Sequence, residues 1–257
     1  MLQTRIIPVL LIHKGGLYKT KKFKKPKYVG DPINAIKIFN EKEVDELILL
    51  DIDASKENKE PNYKLIEDIA SECFMPLCYG GGVKNLEQIK KIFSFGVEKI
   101  SLNNILFEDD TLVKKAVEIY GSQSIVASVD INKTIFGKHA IYNYKTKKHT
   151  TLSYCNFINK LEKIGIGEIL INCVYNDGMQ TGYDLELLKI IANEVAIPVI
   201  ALGGASSLED FKKVIVDTEV SALAAGSMFV FHGKHQAVLI KYPKRDEIEK
   251  TLKEKIE

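Results

Sequence analysis

Pro76-Leu-Cys-Tyr-Gly-Gly-Gly82 and Pro198-Val-Ile-Ala-Leu-Gly-Gly204 are two versions of one segment, set 122 residues apart. Each is a short apolar run that stops at glycines, as a strand does where the backbone must turn tightly. The same offset lays Glu46 on Glu168, Leu65 on Leu187, Ile69 on Ile191 and Leu86 on Leu208. With one residue more, Asn103-Asn104 meets Gly226-Ser227. At an offset of 119, residues 6–12 meet residues 125–131, which pairs Leu11 with Asp130. A repeat of this length predicts a second half that copies the first.

Outward from these segments, eight β-branched or apolar runs punctuate the chain, at 6–12, 46–50, 76–79, 99–102, 125–131, 168–172, 198–202 and 221–225. Amphipathic stretches near 32–43, 62–73, 85–95, 109–120, 153–164, 184–194, 207–217 and 245–256 alternate with them. Leu65, Ile66, Ile69, Ala70 and Cys73 form the stripe of a helix packed on one face. Asn85 with Gln88 three residues on resembles a capping box, and Gly96 closes that helix. Strand and helix alternating eight times predict an α/β chain, a (β/α)8 TIM barrel with two pseudo-symmetric halves, in one domain over residues 1–257.

Composition agrees. The 257 residues are 46% hydrophobic and 27% charged, enough apolar surface to exclude bulk disorder. The longest apolar runs are far shorter than a membrane span of about 20 residues, and the N-terminus does not read as a secretory signal. A net charge of +2 gives no reason to expect nucleic acid. Cys73, Cys78, Cys155 and Cys173 form no C-x-x-C pair and stand at no zinc spacing from a histidine. Free thiols in a reducing cytoplasm are expected, with no metal site and no cofactor.

Active sites of such barrels lie at the C-terminal ends of the strands. Gly81 and Gly82 follow the third predicted strand, and Gly203 and Gly204 the seventh. Asn103 and Asn104, then Gly226 and Ser227, follow the strands after those. Two such loops in symmetric places suggest a ligand with two phosphates, because glycine lets backbone N–H groups approach an anion. Tight turns alone are the plainer reading. Asp130 ends the fifth strand, where an acid after an apolar run suits acid–base work better than a cap. At the opposite end, Arg5, Glu46, Lys99 and Glu168 stand at strand starts with signs that could close a ring. Five lysines within 21–27 and three within 145–148 are expected in loops on the catalytic face, solvated or steering an anionic ligand.

Nearly the whole chain resembles the HisF family, the cyclase subunits of imidazole glycerol phosphate synthase. The matching segments include Arg5-Ile-Ile7, Gly30-Asp-Pro32, Leu50-Asp-Ile-Asp-Ala54, Gly80-Gly-Gly82, Asp130, Asn176-Asp-Gly178, Gly182-Tyr-Asp184 and Gly203-Gly-Ala205. The resemblance implies ammonia delivered by a HisH-like glutaminase docked on the N-terminal face, through a gate of Arg5, Glu46, Lys99 and Glu168. It implies a bisphosphorylated substrate on the glycine loops, with Lys19, Asp177 and Gly178 added to the binding set.

The chain also departs from that family. HisF carries catalytic aspartates at the ends of strands one and five, and Leu11 stands in place of the first. Tyr79, Leu202 and Met179 are expected to make the pocket more apolar and crowded. The stretch from Gly233 to Pro243 resembles a WbuZ-type branch associated with amidation of surface-glycan sugars. That branch implies conversion of an acetamido to an acetamidino group, with a PseA-like amidotransferase as a third protein and a phosphorylated or nucleotide-linked sugar as substrate. The alternatives are a true cyclase of histidine biosynthesis, and a scaffold or ammonia conduit without catalysis.

Overall fold

The computed structural model describes residues 4–253. Eight parallel strands form its centre: β1 (Arg5–His13), β2 (Leu47–Asp51), β3 (Leu77–Gly80), β4 (Lys99–Leu102), β5 (Ile125–Lys133), β6 (Glu168–Cys173), β7 (Val199–Leu202) and β8 (Ala222–Ala225). Each pairs with its neighbours in chain order, β8 pairs with β1, and the sheet closes into a barrel. Helices α1 (Pro32–Glu41), α2 (Tyr63–Glu72), α3 (Leu86–Ser94), α4 (Asp110–Tyr120), α5 (Tyr154–Ile164), α6 (Leu185–Glu194), α7 (Leu208–Asp217) and α8 (Arg245–Lys253) cover the outside. The chain is the (β/α)8 barrel the alternation predicts. The end of the last expected helix, 254–256, lies outside the described residues.

Local chemistry sets the helix starts. Asp31, Asn62, Asn85, Asp109 and Asp184 each accept a hydrogen bond from the backbone N–H three residues on, supplying a donor in the first turn with its partner. The box at Asn85 is a variant: Gln88 reaches back to the N–H of Lys84, one residue before the cap. On α2, Ile66 and Ile69 are buried and Leu65, Ala70 and Cys73 lie partly buried against the same core, as the stripe predicts.

Strand alternation divides the apolar residues into two cores. One lies between strands and helices and holds Ile6, Leu10, Leu47, Leu49, Leu77 and Tyr79. The other fills the barrel itself, with Ile7, Val9, Ile48, Cys78, Val126, Leu170, Ile200, Leu202, Ala222 and Ala224.

The first lysine-rich stretch is not a loop, whereas Lys145 and Lys147 of the second lie in a turn between strands. Gly16–Lys21 and Lys24–Gly30 form an antiparallel hairpin that continues from β1. Its turn holds Lys22 and Phe23 with φ of +52° and +59°, the left-handed pair of a tight hairpin turn, here without glycine. A second hairpin, His139–Asn143 with Lys148–His149, continues from β5 at the equivalent place in the other half.

Candidate active site

A cavity opens at the C-terminal ends of the strands, between the two hairpins. Counted out to its open mouth it measures about 1260 Å³, room for a phosphorylated sugar. Asp130 stands on its wall from within β5, only 6% exposed. One carboxylate oxygen accepts from Asn103 Nδ2 at 3.1 Å, the other from Asn172 Nδ2 at 3.2 Å. Burial pushes the carboxyl up to about 7, against the pull of those two hydrogen bonds. A carboxyl so placed changes protonation near neutrality, the condition for moving protons in both directions.

At the positions that mirror Asp130 and Asn172 the wall is apolar. Leu11 and Leu50 line the cavity side by side as register partners between β1 and β2, and Leu202 of β7 joins them. Leu11 and Leu50 rest against the apolar fill of the barrel below.

Both glycine loops line the same cavity. Gly81, Gly82, Gly203 and Gly204 have φ of +129°, +73°, +104° and +109°. A side chain at Gly81 runs into backbone atoms of Asp51, and one at Gly204 runs into the Gly182 carbonyl oxygen. Asn104 opens a 3-10 turn (Asn104–Phe107) after β4, and Ser227 opens a helical turn (Ser227–Val230) after β8. Lys19 reaches in from the first hairpin, donates to the Val9 carbonyl and lies against Gly226. Its complete burial lowers the ammonium to about 8, although Asp177 opposes the shift. Asp177 itself is tied to the hairpin: it accepts from Thr20 Oγ1 at 2.7 Å, and its carbonyl accepts from the Lys22 N–H at 2.9 Å.

The four charges at the other end form a closed ring. Arg5 donates to Glu46 at 2.6 Å and to Glu168, and Lys99 donates to Glu46 at 3.0 Å and Glu168 at 2.9 Å. Burial alone pulls the two cations' pKa values down, and the two carboxylates more than restore them.

The model of the histidine biosynthesis protein family matches residues 5–236. The chain belongs to this family. A Pseudomonas aeruginosa protein provisionally named imidazole glycerol phosphate synthase subunit hisF2 is 54% identical over 95% of this chain and 97% of its own. A Leptospira interrogans protein provisionally named subunit HisF of the same synthase is 46% identical over 97% and 98%. The imidazole glycerol phosphate synthase subunit HisF of Petrotoga mobilis is 36% identical over 90% and 91%. The chain is thus a HisF-type synthase subunit.

In this HisF-type barrel the sequence-selected residues fall into two groups at opposite ends. Asp130, Lys19, Gly81, Gly82, Asn103, Asn104, Asp177, Gly178, Gly203, Gly204, Gly226 and Ser227 all line the one cavity. Arg5, Glu46, Lys99 and Glu168 are the ring. Two expected wall residues are elsewhere. Gly80 lines the cavity, so strand alternation turns Tyr79 outward into the core beneath the helices. Met179 is 38% exposed, while its neighbours Gly178 and Gln180 line the cavity. Leu202 does line it. Sequence reasoning missed Asn172, which holds Asp130, and Asp51, whose carboxylate accepts from the N–H groups of Asp53 and Ala54 beside the first glycine loop. Asn172 carried one available signal: it lies at the 122-residue offset from Leu50.

Among the described residues no group of three or more His, Cys, Asp or Glu side chains could hold a metal ion. No helix among them is long and apolar enough to cross a membrane.

Proposed function

We propose that this chain is the ammonia-using subunit of a glutamine amidotransferase that turns an acetamido group of a glycan sugar precursor into an acetamidino group. A HisH-like glutaminase on the N-terminal face supplies ammonia past the ring of Arg5, Glu46, Lys99 and Glu168. The two glycine loops and Lys19 hold the anionic ends of the sugar. The observation that carries the reading is the pairing across the repeat: Asp130 sits between Asn103 and Asn172, and its symmetry mate is Leu11. Closing an imidazole ring moves protons at several atoms and draws on a pair of carboxyls; replacing one oxygen by nitrogen at one carbon needs one.

In that exchange the ammonia nitrogen bonds to the acetamido carbonyl carbon and the carbon–oxygen bond breaks. The oxygen is first activated by a phosphoryl group drawn from a nucleoside triphosphate through a PseA-like third protein, and it leaves as phosphate. Asp130, with a pKa of about 7, takes a proton from the attacking nitrogen and returns one to the departing oxygen. The hairpins contribute attraction: residues 14–30 hold seven lysines and residues 133–148 five, with no acidic residue in either stretch.

The test is an assay with ammonium salt and the bisphosphorylated substrate of imidazole glycerol phosphate synthase. Wild-type protein is expected to form product at least 100-fold more slowly than Leu11→Asp, in line with the typical worth of one positioned acid–base group. Wild-type turnover matching that of a two-aspartate HisF would reject the amidation reading in favour of histidine-pathway cyclisation.

A further inference from the structure

The repeat copies the geometry of the cavity and not its chemistry. Leu11 and Leu50 are register partners on β1 and β2, and Asp130 and Asn172 are register partners on β5 and β6. Offsets of 119 and 122 carry the first pair onto the second. One position deeper, Val9 is the mate of Ser128 by the same 119-residue offset, and both line the cavity. At these three positions the half built on β5 and β6 is polar where the half built on β1 and β2 is hydrocarbon, while Asp51 beside Leu50 also lines the cavity. The glycine loops, by contrast, are present in both halves.

We infer that the Leu11–Leu50 wall receives a hydrocarbon group of the substrate. The ligand class is a molecule anionic at both ends that presents an acyl methyl to this wall and its reacting polar atoms to Asp130. The inference rests on the reading of the glycine loops as anion sites and of a sugar amide as substrate. Two costs drive it. A hydroxyl-rich ligand face against these leucines leaves donors and acceptors without partners. Leu11 and Leu50 cannot draw back to admit water, because the apolar fill of the barrel lies directly behind them. A methyl meets neither cost and gains contact.

The experiment compares two probes that differ by one methyl: N-acetylglucosamine 1,6-bisphosphate and its N-formyl counterpart, titrated calorimetrically into the full-length protein. The acetyl probe is expected to bind about tenfold more tightly, the discrimination one methyl commands in an apolar pocket. In Leu11→Asp the preference falls to within twofold. Leu11→Ala adds no charge beside the core and serves where the aspartate variant unfolds by circular dichroism; it shifts the preference toward an N-propanoyl probe, whose longer chain fills the vacated space. Equal binding of acetyl and formyl probes to the wild type overturns the acyl wall alone and leaves the anion sites standing. Failure of both probes to bind overturns the inference together with the reading beneath it. An acetyl preference that survives intact in folded Leu11→Asp places the methyl elsewhere and also overturns it.

Discussion

Asp130 couples the chemistry of this protein to its stability. Its native pKa of about 7 lies above the ordinary aspartate value of 3.8, and the cause is burial. Between about pH 4 and pH 7 the native state therefore holds a proton that the unfolded chain has released, and stability falls as pH rises through that window. Above pH 7 the buried carboxylate is charged, and only two asparagine amides compensate it. Asp130→Asn removes the charge and keeps the shape, at the loss of one good hydrogen bond. It is expected to stabilise the fold by about 2 kcal/mol at pH 8 and to give little at pH 4, while abolishing turnover. Thermal melts of both proteins across that range measure the difference; a stabilisation independent of pH would show that Asp130 does not titrate near neutrality. The acid is legible in sequence because it stands in an apolar strand, where an unused carboxyl is costly. Asn172 is legible only as the repeat mate of Leu50, because its hydrogen bond depends on the register of β6 against β5. Tyr79 misleads for a related reason: the glycine run after it marks the loop but not which side of the strand faces in.

At the scale of elements, the ring shows how four strand starts become one device. Glu46 is only 2% exposed, and one of its carboxylate oxygens has no hydrogen-bond partner among the described residues. Its charge is tolerable only because Arg5 and Lys99 flank it. Lys99→Met leaves Glu46 and Glu168 sharing one cation and is expected to cost about 3 kcal/mol, the usual penalty for breaking a buried pair from one side. Replacing all four charges with apolar residues of similar volume should cost far less, and chemical denaturation of both variants distinguishes the cases. If Lys99→Met proves neutral, the ring is solvated and is no barrier between the barrel interior and the N-terminal face. The charges are visible in sequence by their positions at strand starts. The hairpins are not visible as strands, since lysines mask the alternation and the first turn lacks the glycine that announces one. Only Leu17 and Val29, both buried, betray that a sheet continues beyond β1.

For the whole molecule, the pseudo-twofold relation predicts two anion sites that are alike in backbone and unlike in charge. Gly82 with Asn104 and Gly204 with Ser227 are copies, so crystals grown in sulfate should show one ion near each pair, related by the axis that relates the halves. The side-chain complement breaks the symmetry. Lys19 lies against Gly226 at the second site, and the position equivalent to it by strand register in the other hairpin is the uncharged Asn143. Because burial holds the Lys19 ammonium at about 8, the second site is expected to lose affinity as pH passes 8, while the first keeps its own. A fall of about tenfold in phosphate affinity at one site between pH 7 and pH 9.5 is the scale of losing a charge-assisted hydrogen bond. Site-specific variants separate the two: Ser227→Asp should remove the pH-dependent phase and Asn104→Asp the other. Substitutions at Gly204 are unsuitable, because its φ and the Gly182 carbonyl exclude a side chain whether or not an anion binds. A single phase with no dependence on pH, unaltered by Ser227→Asp, would mean that the glycine loop after β7 is a turn and nothing more, and that the symmetry of this barrel is a record of its construction without a counterpart in the ligand.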